Sequence, residues 1–310
     1  MTVTGNLETF AGKHVVDVNA VGDISDFGAV APRLRCAYGE TRTLRDALAT
    51  MLEAPGVEST RALVFGLWAE NGESYEVSPA PAIELLVAQK NKLPGLAALF
   101  FGDIISEENE ISWIEQADYS AIWNAFPQLE QFWVRGGNKL ALGAIRHRML
   151  DTLVIQAGGL PSSVVREALA AEAPIRHLEL WLGTEDYGAD TSVADFADLF
   201  AGKLFPGLRT LALRNSQYSD EIAKALAVSP LLDRIRILDL SMGTLTDAGA
   251  RALAQSGRLG TLEKLDISHH YVSPAVVELL RAATPNLIAD DPQQPDDWDG
   301  EPHYYVAVSE

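Results

Sequence analysis

Cysteine is nearly absent from this chain. Cys36 is the single cysteine in 310 residues, and one thiol cannot form an intramolecular disulfide. The small, disulfide-stapled folds of secreted proteins are therefore excluded, and the cysteine usage does not indicate an oxidising compartment. A buried apolar core must hold the fold instead, and 47% hydrophobic residues are sufficient for one.

Positive charge is also scarce. The chain has 24 Lys and Arg against 43 Asp and Glu, a net charge of -19, and no basic run. Because nucleic acids and anionic membranes are bound through basic surfaces, neither class of partner is expected. Acidic residues gather at Glu107–Glu110, at Glu185–Asp186 and between Asp290 and Glu301. These runs predict either solvated surface with a mobile tail or a docking site for a protein partner with a basic surface.

Long apolar runs are missing as well. No stretch approaches the roughly 20 apolar residues that a membrane-spanning helix needs. The first residues also lack the basic region and apolar run of a secretory signal. We therefore expect a soluble, cytoplasmic protein.

The chain does contain a repeated apolar spacing, L-x-x-L-x-L, which recurs eight times between Thr60 and Ala283 in steps of 21 to 36 residues. The alternation in L-x-L is typical of a half-buried strand, and helical apolar stripes such as Ile222, Ala225 and Leu226 follow it. The shorter steps match the leucine-rich-repeat period of about 20–29 residues. The sequence thus predicts an α/β leucine-rich-repeat solenoid, a horseshoe with a parallel sheet on its concave face and helices on its convex face. The second apolar positions of the eight copies are Leu63, Leu99, Phe132, Leu153, Leu178, Leu211, Leu238 and Leu265.

The two ends of the chain depart from this pattern, as the capping ends of a solenoid must. Residues 1–59 are predicted to form an N-terminal cap, with a degenerate strand from Leu34 to Tyr38 and a helix from Leu44 to Leu52. Residues 60–285 hold the repeats. Residues 286–310 form an acidic C-terminal region, in which Tyr304 to Val308 resembles a strand that could pair with or cover the open edge of the sheet.

The alternate positions of each strand should face the concave surface. They stack into columns that bring together aromatic, arginine and acidic side chains, the residue types that dominate protein-binding hot spots. Two alternatives stay open: the rings could pack on one another, or a loop could cover them. Asp239 and Asp266 should stand side by side, either solvated or available to a basic partner or a cation. The candidate partner-binding residues are Phe100, Trp133, Arg135, Glu179, Trp181, Arg214, Asp239 and Asp266.

Catalysis has little support in the sequence. No Ser/His/Asp arrangement comes with a nucleophile elbow, Cys36 has no evident histidine partner, and the adjacent His269 and His270 would point to opposite faces of a strand. We expect no enzyme activity, cofactor or structural metal. The leading hypothesis is an interaction scaffold that binds a protein through the concave face and the strand-exit loops. The alternatives are a binding module for a small molecule or modified peptide, and a stabilising subunit of an enzyme complex.

Several strings also resemble a known family. LDLSMGTLTDAGARALA, DEIAKALAVSPLL, LEKLDISHHYVS and the terminal YYVAVSE are similar to bacterial leucine-rich-repeat proteins with no assigned activity, and the first string resembles the ribonuclease-inhibitor type of repeat. This resemblance implies a horseshoe of alternating strands and helices. It supplies no catalytic residues.

Overall fold

The chain forms two compact units, both of the α/β class. The computed structural model describes residues 3–18, 24–36, 42–68 and 77–310. The N-terminal unit contains residues 3–155, 170–174 and 310, and the C-terminal unit contains residues 156–169 and 175–309. Within each unit, the strands of a mostly parallel sheet follow one another in chain order. Among the described residues, no helix has the length and apolar character needed to cross a membrane.

The N-terminal unit contains the first four copies of the repeated spacing. Its strands are β1 (Thr9–Phe10), β2 (Lys13–Asp17), β3 (Val30–Leu34), β4 (Ala62–Phe65), β5 (Ala98–Phe101), β6 (Gln131–Arg135) and β7 (Thr152–Gln156, whose last residue belongs to the other unit). Its helices are α1 (Leu44–Leu52), α2 (Ala80–Ala88) and α3 (Ser120–Ala125).

The C-terminal unit contains the other four copies. Its sheet strands are β8 (His177–Gly183), β9 (Thr210–Ser216), β10 (Ile237–Asp239), β11 (Lys264–Asp266) and β12 (Leu287–Ile288), and a separate hairpin consists of β13 (Asp296–Trp298) and β14 (Glu301–His303). Its helices are α4 (Ser162–Leu169), α5 (Ala197–Phe200), α6 (Ser219–Ala227), α7 (Asp247–Gln255) and α8 (Pro274–Ala283).

The predicted leucine register is confirmed at every described strand pair of the repeats. In the N-terminal unit Leu63 pairs with Leu99, which pairs with Phe132. In the C-terminal unit Leu178, Leu211, Leu238, Leu265 and Leu287 stand in register across β8 to β12. The second apolar residues of all eight copies are completely buried. Because side chains alternate along a strand, the residues between the leucines face the other side of the sheet.

Hydrogen bonds between repeats fix the spacing of the C-terminal helices. Thr246 caps α7, and its backbone N–H donates to Asp220, which lies in the first turn of α6, at 2.9 Å. The next repeat uses the same contact, since the N–H of Ser273 donates to Asp247 at 2.7 Å. Each acid therefore holds the start of the following helix and also lies where the helix dipole favours negative charge.

The N-terminal cap differs in part from its prediction. Helix α1 spans Leu44–Leu52 as expected, with Thr43 and Asp46 forming a capping box. The strand predicted from Leu34 to Tyr38 is misplaced, because β3 ends at Leu34; Ala37 and Tyr38 lie outside the described residues. The chain before β3 adds two further strands, and β1 pairs with β2 in an antiparallel hairpin.

The C-terminal segment, defined as residues 304–308, is ordered but is not a strand, so that part of the prediction is wrong. The edge of the sheet is taken by β12, which pairs with β11 in parallel. The segment instead crosses three strand-exit turns. Tyr305 O accepts hydrogen bonds from Tyr271 Oη at 3.0 Å and His269 Nε2 at 3.1 Å, and Ala307 N donates to Met242 O at 2.8 Å.

These strand-exit turns share one unusual backbone conformation. The fourth residue after each of the last four in-register leucines has a positive φ of 53 to 67°, a region that residues other than glycine rarely occupy. Backbone hydrogen bonds between repeats continue past the strands, since the N–H groups of Asn215, Met242 and His269 donate to carbonyl groups of the next repeat. The four residues are Asn215, Met242, His269 and Asp291.

Candidate functional site

The sheet face predicted to bind a partner is apolar and covered in the N-terminal unit. Phe100 is completely buried, because Phe10 of β1 folds over it at a ring-centroid distance of 6.1 Å. Phe10 also contacts Trp133 edge-on at 5.5 Å. Leu7 and Ala11 pack against the same cluster. The expected exposure of Phe100 is therefore wrong, and the alternative in which chain folds over the aromatic column is the correct one.

Arg135 is also buried, with 4% of its surface exposed. Its Nη1 donates to the carbonyl oxygen of Ile104 at 2.7 Å, and its guanidinium lies over the Phe100 ring at 5.4 Å. Burial lowers the pKa of Arg135 to about 10. The expected exposure of this arginine is wrong, because its guanidinium binds a carbonyl oxygen and an aromatic ring inside the unit.

The sequence prediction missed an ion-pair network beside this cluster. The buried Asp103 lies 2.8 Å from Arg33 Nη1 and accepts the backbone N–H of Leu7 at 3.2 Å. Arg33 also pairs with both carboxylate oxygens of Asp17 at 2.6 and 2.9 Å, which lowers the pKa of Asp17. A buried carboxylate needs such partners. The network therefore anchors the N-terminal segment that covers the apolar face.

The corresponding face of the C-terminal unit is polar and partly exposed. We define the polar face by the side chains of His177, Glu179, Arg214, Asp239, Lys264 and Asp266, which retain between 13% and 35% of their side-chain exposure. They lie on the side of the sheet opposite to the buried leucines. Asp239 and Asp266 are register partners on neighbouring strands, as predicted.

Arg214 lies at the centre of the polar face. Its Nη1 donates to Glu179 Oε1 at 3.2 Å, its Nε donates to Ser241 Oγ at 2.9 Å, and Nε also lies 3.5 Å from Asp239 Oδ2. Lys264 forms a separate pair with Asp266 at 3.0 Å. These contacts hold the charged groups in fixed positions.

Trp181 is buried beneath this network, with 6% of its surface exposed. The Arg214 guanidinium lies over its ring at 5.1 Å, and the indole N–H donates to Glu179 Oε1 at 2.7 Å. The expected exposure of Trp181 is wrong, because the neighbouring charged side chains cover the ring. Its role in the free protein is to support Arg214 and Glu179.

The acids of the polar face differ in their titration. Burial favours a raised pKa for Glu179, but His177, Arg214 and the Trp181 N–H outweigh it and hold the pKa at about 2. For Asp239 burial prevails over Arg214, and the charge of Asp266 adds to it, so its pKa is raised. Burial also opposes ionisation of Asp266, but hydrogen bonds from Ser268 and the nearby Lys264 lower its pKa. Of the three carboxylates, Asp239 is therefore the one whose positive neighbours and hydrogen bonds do not offset the cost of burying its charge.

The candidate residues therefore divide between the units. Phe100, Trp133 and Arg135 belong to the covered apolar face, where Trp133 is half-buried. Glu179, Trp181, Arg214, Asp239 and Asp266 belong to the polar face or support it.

One cavity of about 680 Å³ lies in the C-terminal unit between α8 and the chain that follows β12. Tyr271, Arg281 and Gln293 are among its lining residues. Its volume is in the range of small-molecule sites, which is roughly 300–1,000 Å³. Across the described ranges, no group of three His, Cys, Asp or Glu side chains is arranged to hold a metal ion.

Comparison with known proteins gives a structural relative. No protein-family model matches the chain, and no curated protein matches it in sequence. A crystal structure of a Bacteroides fragilis protein, solved as a structural-genomics target, is similar to this chain with 29% sequence identity and a TM-score of 0.78. The similarity covers 90% of this chain and 77% of that chain. The mostly parallel α/β fold of this chain is therefore similar to that of a solved structure.

Proposed function

We propose that the chain is a non-catalytic scaffold of leucine-rich-repeat type that binds a protein partner through the polar face of its C-terminal unit. The observation that carries the proposal is the contrast between the two sheet faces. The N-terminal face is covered by the unit's own chain, whereas the polar face keeps six ionisable side chains partly exposed.

The hydrogen bonds around Arg214 favour recognition of another protein. Side chains that are already held in place lose little conformational entropy when a partner binds, so more of the interaction energy appears as affinity. Charges of both signs lie close together on neighbouring strands, which favours a partner with a complementary charge pattern. A wide surface of this kind suits a protein better than a small substrate, which binds in an enclosing pocket.

Photo-crosslinking tests the proposal. A benzophenone amino acid would replace Thr210, a half-buried residue of β9 on this face, and, as a matched control, the exposed Lys224 of α6. In cells of the source organism, we expect one defined protein to crosslink from position 210 and not from position 224. Lys264→Glu should reduce that crosslink, whereas Lys224→Glu, with the same charge change, should not. Equal crosslinking from both positions, or none from 210, would contradict the proposal.

The small-molecule alternative depends on the cavity beside α8. A ligand there should co-purify with the protein and be detected by native mass spectrometry. Its loss in Arg281→Ala, together with an absence of crosslinking at position 210, would favour this second function. Arg281 suits the test because its side chain is half-exposed and forms an ion pair with the exposed Glu278 on the same helix.

A further inference from the structure

The hairpin of β13 and β14 is an unpartnered two-stranded sheet. All six of its strand residues are exposed, and Trp298 has 64% of its surface open to solvent. An isolated two-stranded hairpin is marginal in water, because it has no apolar face to bury. An exposed tryptophan on such a hairpin is more consistent with a contact surface than with a stabilising element.

One side of the hairpin combines this tryptophan with two acids. Asp296 pairs across the strands with His303, and Trp298 pairs with Glu301. Because residues two apart on a strand share a side, these four side chains occupy the same face. Glu301 lies across from Trp298 on the neighbouring strand, about 4.8 Å away, and Asp296 lies two residues before Trp298 on the same strand. The His303 ring contacts the indole ring at a centroid distance of 5.7 Å. We call this set the hairpin face.

The surrounding charge selects the partner. After Arg281 the sequence has no Lys or Arg, whereas it contains Asp290, Asp291, Asp296, Asp297, Asp299, Glu301 and Glu310. A second copy of the chain would bring the same acids and be repelled, and nucleic acid or anionic lipid would be repelled too. Charge complementarity therefore points to a basic protein segment.

We propose that the hairpin face is a docking surface for an arginine-rich segment of a partner protein. Arginine fits better than lysine, because its planar guanidinium can stack on the indole ring of Trp298 while its N–H groups donate to the carboxylates of Asp296 and Glu301. This surface uses no residue of the polar face, so the two proposals fail or stand independently.

Fluorescence anisotropy with labelled nonaarginine and nonalysine peptides tests this proposal on the full chain. Nonaarginine should bind about three- to fivefold more tightly than nonalysine, the increment expected of exposed cation–π stacking. Trp298→Ala should remove that preference. The matched control is Trp113→Ala, since Trp113 is 54% exposed and also follows an acidic run, and it should leave the preference intact.

Charge variants separate docking from general attraction. Asp296→Asn with Glu301→Gln should weaken nonaarginine binding about fivefold or more, whereas Glu107→Gln with Glu110→Gln removes the same charge elsewhere and should change it less than about twofold. Equal effects of both pairs, equal affinity for the two peptides, or no binding at low salt would overturn the proposal. So would a concentration-dependent dimer that Trp298→Ala abolishes, because the occupant would then be a second copy.

Discussion

The side-chain amide of Asn215 pairs with both backbone polar groups of Val308. Asn215 Oδ1 accepts the Val308 N–H at 3.0 Å, and Asn215 Nδ2 donates to the Val308 carbonyl oxygen. Asn215 is completely buried and Val308 nearly so. The amide thus replaces the strand that would otherwise satisfy these groups, and it holds the C-terminal segment against the strand-exit turns.

Asn215→Gly should destabilise the protein by about 2 kcal/mol, because the two buried hydrogen bonds to Val308 and the longer one to the Ala157 carbonyl oxygen are lost. Glycine tolerates the local φ of 53°, so this variant isolates the hydrogen bonds. Asn215→Ala should cost about 1 kcal/mol more, since alanine is strained in that conformation. Urea unfolding measures both variants, and carboxypeptidase digestion should become faster in each. Unchanged digestion in Asn215→Gly would show that another contact holds the segment.

Phe10→Ala should destabilise the protein by about 3–4 kcal/mol and move tryptophan emission to longer wavelength. The substitution removes a ring that is 2% exposed and that covers both Phe100 and Trp133. The control is Leu279→Ala on α8, whose side chain is 44% exposed and should cost far less. A similar loss for both variants would mean that β1 does not protect the apolar face.

Glu179→Gln should remove stability that the wild type has at neutral pH. The pKa of Glu179 is depressed from 4.5 to about 2, so its contribution is present above about pH 4.5 and is lost as pH falls towards 2. The difference between the two proteins should reach up to about 3 kcal/mol at pH 7 and shrink through that window. Urea unfolding at a series of pH values measures it.

Asp239→Asn is the matched control, because the pKa shift of Asp239 is opposite in direction to that of Glu179. The pKa of Asp239 is raised, so its contribution to stability is present below its ordinary value of 3.8 and is lost as pH rises through its folded pKa. This variant should be at least as stable as the wild type at pH 7, and its advantage should vanish in acid. Parallel pH profiles for the two variants would contradict the assigned electrostatics of the polar face.

The sequence predicted the strand register of the repeats correctly, because that register follows from the spacing of residues that are close together in sequence. Leu178, Leu211, Leu238 and Leu265 are in register and fully buried, as the spacing indicated. Helix α1 has its predicted limits, since the Thr43–Asp46 capping box marks its start within four residues of sequence. The neighbouring positions of Asp239 and Asp266 follow from the same register.

The exposure of the candidate site could not be predicted in the same way. Phe100 is covered by Phe10, which lies 90 residues earlier, and Trp181 is covered by Arg214 from the next repeat. The strand pattern at Tyr304–Val308 was also misleading, because the segment meets Asn215 and Met242 rather than a strand edge. Each of these contacts depends on partners that are distant in sequence.

The sequence by itself determined the α/β class, the strand register and the division of each strand into a buried and an outward side, because alternation and helical periodicity are properties of neighbouring residues. Only the tertiary structure decided which outward side chains remain accessible. Burial depends on what folds over a surface, and in this protein the covering residues come from the chain's N-terminal hairpin and from adjacent repeats. The polar face stays partly exposed because its charged side chains pair with one another and still reach solvent.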